Sequence, residues 1–379
     1  MNSQYEVVPY QPDLRDQVLK LQTRLWSTDL RVNDAYFSWK YERNPYRNGT
    51  PAYLALHRGR IIGVRGVFGS CWEAGPGRRQ SHFWCVDDLA IEPEHRDRGI
   101  FSLIMNTALA DLSAQQDGFI LCPSAGLVTV LGSLTMGWKR VAKMEPVGLQ
   151  SPRMERLQRC RMAIDRLPYV WRLTRSRWFD PRGSAGEYAR LDRRARRGLL
   201  GEGMRLERSP DPVGMAALVG ALGHDGRIRH VRDAAYFDWR LRNPLRDYRF
   251  LYAGGGGGTI TGYLVLARSR SRIAGASSIR ISDWEATTPE VGAALLRAVA
   301  RAEVSELVTW AAALPAWGSP VLAEAGFVPV EQELRNRGCP CILVRSLRAD
   351  LPESAWLLAG HNLLDPASWD FRMLYTMRG

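Results

Sequence analysis

Two rhythms of apolar residues alternate along this chain, and the same order of rhythms occurs twice. Residues 5–10 read as a strand, and within 13–26 Leu14, Val18, Leu21 and Leu25 fall at helical spacing. Residues 52–57 and 61–69 are two strand patterns joined at Arg58-Gly59-Arg60, a hairpin turn. A longer strand covers 81–91. A helix (100–113), a strand (119–122), a helix (127–136) and a last strand opening at Gly137-Trp138 follow. The second pass begins with a strand at 204–208 and a helix at 213–222. A hairpin of 248–253 and 260–267 turns through the glycine run 254–258, and a strand at 278–286 precedes a helix at 291–304. Strand 307–311, helix 319–324 and a strand opening at Gly326-Phe327 complete it.

The repeat is visible in residue identity as well. Tyr36-Phe37-Ser38-Trp39-Lys40, followed by Asn44-Pro45, recurs as Tyr236-Phe237-Asp238-Trp239-Arg240, followed by Asn243-Pro244. These aromatic sets are expected to anchor a helix in each core rather than to bind a ligand, because both copies keep them. Residues 151–203 have no counterpart in the repeat. There Met154, Leu157, Cys160, Ile164, Leu167 and Trp171 sit at helical spacing with arginines between them, until Pro168 kinks or ends the helix.

Charge changes this picture in one place. The chain of 379 residues carries a formal net charge of +13, and 153–197 alone holds 14 arginines, no lysine and 5 acids. Such a surface attracts an acidic protein, an anionic membrane or another polyanion. Nucleic acid is the weakest of these, since the arginines are not interleaved with a recognition module. A hydrophobic fraction of 45% suffices for two cores, and no apolar run approaches the ~20 residues that span a bilayer. The first residues lack a basic stretch followed by an apolar one, so a cytoplasmic protein is expected. The six cysteines follow no framework spacing and are expected as reduced thiols, and no His or Cys spacing suggests a metal.

The candidate chemistry lies between the long strand and the helix of the first copy. In Arg96-Asp97-Arg98-Gly99-Ile100-Phe101, a helix start offers unpaired N–H groups to an anion, two arginines add charge, and Gly99 lets the backbone come close. The second copy has Thr287-Thr288-Pro289-Glu290-Val291-Gly292 there, without the arginines and with an acid that repels phosphate. The loop is therefore not a requirement of the fold.

The run from Leu89 to Ile100, followed by a helix, a strand and Gly137-Trp138, resembles the GCN5-related N-acetyltransferase (GNAT) family. Its signature is Arg or Gln, two residues, Gly, one residue, then Gly or Ala. Arg96 and Gly99 match, and Phe101 stands where a small residue is usual. The resemblance implies an α/β (α+β) chain of two tandem domains, 1–150 and 204–379, each a mixed, mostly antiparallel sheet flanked by helices. The basic helical connector 151–203 would join them.

It also implies a reaction: transfer of an acetyl or longer acyl group from acyl-CoA to an amine of a small molecule, an amino sugar or a peptide side chain, with no metal. The backbone of Leu89, Ala90 and Ile91 would pair with the pantetheine arm. The N–H groups from Arg96 through Asp97, Arg98, Gly99 and Ile100 to Phe101 would hold the pyrophosphate, and Ser124 would face the arm. An ammonium has no lone pair for attack, so a base is expected: Asp88 first, Asp87 second, His82 third. The family's usual tyrosine acid is replaced by Ser133. Cys122 as an acyl-carrying nucleophile is weaker than its reading as a buried strand residue. An acidic acyl carrier protein as donor, a peripheral membrane contact through the connector, and a non-catalytic binding protein are the alternatives.

Overall fold

The computed structural model describes residues 4–46, 49–115, 118–150, 184–254, 258–269, 279–302, 306–310, 317–330, 341–348 and 350–377. The proposed apolar stripe of the connector, from Met154 to Trp171, lies outside them. No described helix is long and apolar enough to cross a membrane.

The first half runs β1 (Tyr5–Pro9), α1 (Arg15–Gln22), α2 (Leu30–Phe37), β2 (Ala52–His57), β3 (Arg60–Ala74), β4 (Arg79–Ile91), α3 (Ile100–Gln115), β5 (Phe119–Ala125), α4 (Leu127–Leu134), β6 (Lys139–Lys143) and β7 (Pro146–Gln150). The β2–β3 turn takes positive φ at Arg58 and Gly59, which fits the twist of a tight hairpin. Helix α5 (Ser184–Arg196) packs on the second sheet, where the Tyr188 hydroxyl donates to the carbonyls of Asp247 and Leu266. The second half follows as β8 (Met204–Glu207), α6 (Pro212–Ala221), β9 (Arg229–His230), α7 (Ala234–Arg240), β10 (Arg246–Gly254), β11 (Ile260–Ser269) and β12 (Ile279–Ala286). After these come α8 (Pro289–Ala300), β13 (Glu306–Trp310), α9 (Gly318–Glu324), β14 (Val328–Pro329) and β15 (Cys341–Ser346). The repeat does not extend to the helix starts. Asp233 caps α7 through the Tyr236 N–H, whereas α2 is capped by Asp29, and Asp34 pairs with Arg15 instead.

The first sheet has the order β1-β2-β3-β4-β5-β15-β6, and the second β14-β7-β13-β12-β11-β10-β8. Read from β8 to β14, the second order matches the first position by position, with β4–β5 and β12–β13 as the parallel pairs. The sheets nevertheless cross the 1–150 and 204–379 division. Strand β7 of the first half lies between β13 and β14, and β15 of the second half lies between β5 and β6. Each half completes the other's sheet. Periodicity cannot reveal such an exchange, since a strand alternates identically in either sheet.

Three apolar clusters follow. One lies under α3 and one under α8, while the largest is shared by both halves and holds the repeated aromatics. Tyr36, Phe37, Tyr236 and Phe237 are at most 1% exposed, as expected of anchoring residues. Trp39 and Trp239 stack across the seam at 5.3 Å between centroids. Each indole N–H donates to the other's backbone carbonyl at 2.7 Å. A double-mutant cycle of Trp39→Phe and Trp239→Phe, read by urea unfolding, should therefore show a coupling of about 1–2 kcal/mol. Strictly additive losses would mean that the reciprocal bonds do not act as a pair.

Candidate functional site

The site begins with a disturbance in β4. Its register with β3 slips between Val64↔Ala90 and Gly66↔Asp87, and Asp88 takes φ +51° within this bulge. A non-glycine residue in that region is strained and persists where its surroundings hold it. The holding groups are identifiable. The Asp88 side chain is fully buried, and its Oδ2 accepts from the Tyr41 hydroxyl (2.7 Å) and lies 3.0 Å from Lys40 Nζ. Lys40 also bonds Asp87 Oδ2 at 2.9 Å. Gly66 makes this possible: a Cβ there would lie 1.9 Å from the Tyr41 hydroxyl oxygen. Burial raises the Asp88 carboxyl above the usual carboxylate range, against the pull of Lys40, while Oδ1 has no hydrogen-bond partner.

Beside the bulge the sheet opens. Parallel β4 and β5 pair only at Trp84↔Ile120 and Cys85↔Leu121, so the edge at Leu89, Ala90 and Ile91 has no ladder to β5. Ser124 stands on the diverging part of β5. Arg65, buried and opposite the bulge, reaches β5, where its Nη2 lies 3.6 Å from Cys122 Sγ. Burial raises the Cys122 thiol, which disfavours the thiolate that a nucleophile needs.

The strand then feeds the loop. Arg96, Asp97, Arg98 and Gly99 are exposed, with φ +58° at Asp97 and +75° at Gly99. The first helical bond of α3 runs from the Leu103 N–H to the Gly99 carbonyl, so the preceding N–H groups point out of the helix end. A Cβ added at Gly99 would meet nothing within 4 Å. Phe101 does not obstruct this space. Its ring packs on α4, where a Cβ at Gly132 would come within 2.8 Å of it. The departure from a small residue at position 101 is thus matched by a glycine on the next helix.

The second half shares the short parallel ladder, Ile279↔Leu307 and Arg280↔Val308, but differs at the helix start and in what lies in the gap. Thr288 caps α8 with its own side chain, and Pro289 and Glu290 occupy the first turn. The space between β12 and β13 is reduced to about 10 Å³ and is lined by Phe371, Arg372 and Met373. Arg372 donates to the Trp284 carbonyl and pairs with Asp283, the counterpart of Asp88. Both bulges therefore carry a buried aspartate beside a cation and a strand edge without a ladder. In the second half, however, Phe371, Arg372 and Met373 line that gap and Thr288 caps the helix, whereas Gly99 has no side chain to cap α3.

The structure brings Asp87, Asp88 and the open edge of Leu89 to Ile91 together in one strand segment, and the loop follows within a few residues. It separates His82, which is exposed and lies six residues up β4, about 20 Å away. Ser133 is buried at the end of α4, where its carbonyl receives the Trp138 N–H. Sequence reasoning missed Lys40, Tyr41 and Arg65. The signal for Lys40 was present as the basic residue of the aromatic repeat. Among the described residues, no group of His, Cys, Asp and Glu could hold a metal ion.

Residues 229–323 match the acetyltransferase (GNAT) domain family. No curated protein matches the sequence significantly. Among solved structures, a GCN5-related N-acetyltransferase from Anabaena variabilis is similar at 12% identity and TM-score 0.57, covering 91% of this chain and 73% of that one. A conserved protein of unknown function from Enterococcus faecalis, described as a probable N-acyltransferase, has 12% identity, TM-score 0.55 and coverage of 90% and 73%. A GCN5-related N-acetyltransferase from Kribbella flavida has 12% identity, TM-score 0.52 and coverage of 90% and 72%. The family match covers the half whose helix is capped, and the loop from Arg96 to Phe101 and the edge at Leu89 to Ile91 lie outside it.

Proposed function

We propose that this chain, which has the fold of the GCN5-related N-acetyltransferases and a GNAT domain over residues 229–323, is an N-acyltransferase that works from its first half. The observation that carries the reading is the uncapped α3 terminus behind Gly99, next to an open strand edge, against a capped and filled counterpart. Acyl-CoA is the donor that suits both parts. Its pyrophosphate would lie on the N–H groups from Arg96 to Phe101, and its pantetheine arm along Leu89, Ala90 and Ile91, with Ser124 across the gap.

In the reaction, an acceptor amine attacks the thioester carbonyl. A C–N bond forms, the C–S bond breaks, and the thiolate leaves. The amine's proton would pass to Asp88, whose carboxyl is made more basic by burial and whose Oδ1 is unbonded. Asp87 shares the same ammonium and is the second candidate. Ser133, in place of a tyrosine acid, is not needed for departure, because a thiol of pKa ~8.5 can leave as the thiolate. The acceptor is an amine of a small molecule, an amino sugar or a peptide side chain. A carrier-protein donor or a membrane contact would rest on the +9 charge of residues 153–197.

Calorimetry of the full chain with acetyl-CoA and with a longer acyl-CoA tests this directly. Saturable binding at one site is expected, together with release of free thiol when an amine acceptor is supplied. Binding of neither donor, with binding of an acyl carrier protein, would transfer the donor role to that protein. Binding of none of the three would leave a non-catalytic protein.

A further inference from the structure

A cavity of about 360 Å³ lies on the seam between the halves, at the small end of the range for metabolite pockets. One wall is the far end of the β3–β4 hairpin, with Glu73 and Arg78. The other is α6 and residues 231–233, which lead into α7. Glu73 is eight residues along β3 from Arg65, about 26 Å at 3.3 Å per residue, so this cavity is separate from the transfer cleft.

The lining is apolar at its base, where Val219 and Val231 contribute, and carries opposite charges at its rim. Burial would raise the Glu73 carboxyl, but Arg229 at 2.8 Å and Arg78 at 3.3 Å outweigh it and hold Glu73 ionised. Glu73 is therefore a fixed anchor for Arg78, whose Nε and Nη2 it receives, leaving Nη1 for another acceptor. On the opposite wall, Asp233 uses Oδ1 to cap α7 and keeps Oδ2. Arg232, 4% exposed, pairs with Glu285 at 2.7 Å, and its Nε has no hydrogen-bond partner. A carboxylate is the kind of acceptor that this donor lacks.

We propose that this cavity binds a small zwitterion with an apolar side chain, of which an α-amino acid is the simplest form. Its carboxylate is received by Arg78 and the open Nε of Arg232, its ammonium by Asp233, and its side chain by Val219 and Val231. Open donor atoms on paired arginines and an open acceptor atom on Asp233, over an apolar base, match a neutral ligand that carries both charges better than a plain anion or amine. Through Arg232 the site also adjoins Asp283, the aspartate of the second bulge, at 3.6 Å. The second half, without a donor loop, would thus serve as a recognition module.

The test is calorimetry of the full chain with L-leucine, in the absence of any acyl-CoA, so that its outcome is independent of the transferase reading. Saturable binding is expected. 4-Methylpentanoate, which lacks the ammonium, and 3-methylbutylamine, which lacks the carboxylate, should each bind at least tenfold more weakly. Arg78→Gln and Asp233→Asn should each weaken L-leucine at least tenfold, and the asparagine can still cap α7. Gly220→Phe, at a cavity-lining helix position where a Cβ meets nothing within 4 Å, should block the site without unfolding the chain. Absence of saturable binding by L-leucine and L-phenylalanine at millimolar concentration overturns the proposal. So does binding that survives both Arg78→Gln and Gly220→Phe.

Discussion

Replacing Gly99 by glutamate should lower the affinity for acetyl-CoA by at least about 100-fold, or ~2.8 kcal/mol. Two effects act together. The new carboxylate would sit at the positive end of α3, in the space proposed for phosphate, and would satisfy the N–H groups intended for it. The backbone at φ +75° would also become strained, at roughly 1–2 kcal/mol for any L side chain. Gly99→Ala carries the strain without the charge and separates the two. It should lower the unfolding temperature about as much as Gly99→Glu and lose far less affinity. Since a Cβ at this position touches nothing, neither variant should prevent folding. Calorimetry and thermal unfolding of the three proteins give the comparison. Equal affinities in all three would remove the phosphate assignment.

The second large effect is expected at Lys40. Lys40→Met should destabilise the protein by about 3–5 kcal/mol, because it leaves the buried Asp88 carboxylate without its cation. Methionine keeps most of the volume between Tyr36, Tyr41 and Phe68, whose rings surround the ammonium. The loss would therefore report charge more than packing. Adding Asp88→Asn to Lys40→Met should restore part of the stability while abolishing transfer if Asp88 is the base. Urea unfolding and an acyl-transfer assay measure the two separately. A loss below ~1 kcal/mol in Lys40→Met would show that the bulge is held by Tyr41 and the backbone instead.

Most of the element order and the repeat were legible in the sequence because amphipathic periodicity and residue identity are local properties, but the strands β7 and β15 were not read. The phosphate loop was legible for the same reason: its anion-binding capacity comes from a helix start, a glycine and two arginines within six residues. Lys40 was visible only as a basic residue after Trp39, and its partner is 47 positions away. No local pattern states that a lysine will lie 0% exposed between two carboxylates. Phe101 looked obstructive because its compensation, Gly132, lies on another helix. The strand exchange was invisible because Cys341–Ser346, buried almost throughout, would fit an inner position of either sheet.

That exchange has a consequence for how the protein is made. A ribosome extends a chain N-terminal end first, at about 5–20 residues per second. The partner that β5 and β6 need, β15, is about 200 residues downstream of β6. At those rates the first sheet waits roughly 10–40 s with two strand edges bare, the kind of edge on which aggregation starts. The finished halves cannot be inherited, expressed or recombined as separate modules, since each would lack one inner strand. The crossing of one strand each way makes the two copies a single unit of synthesis.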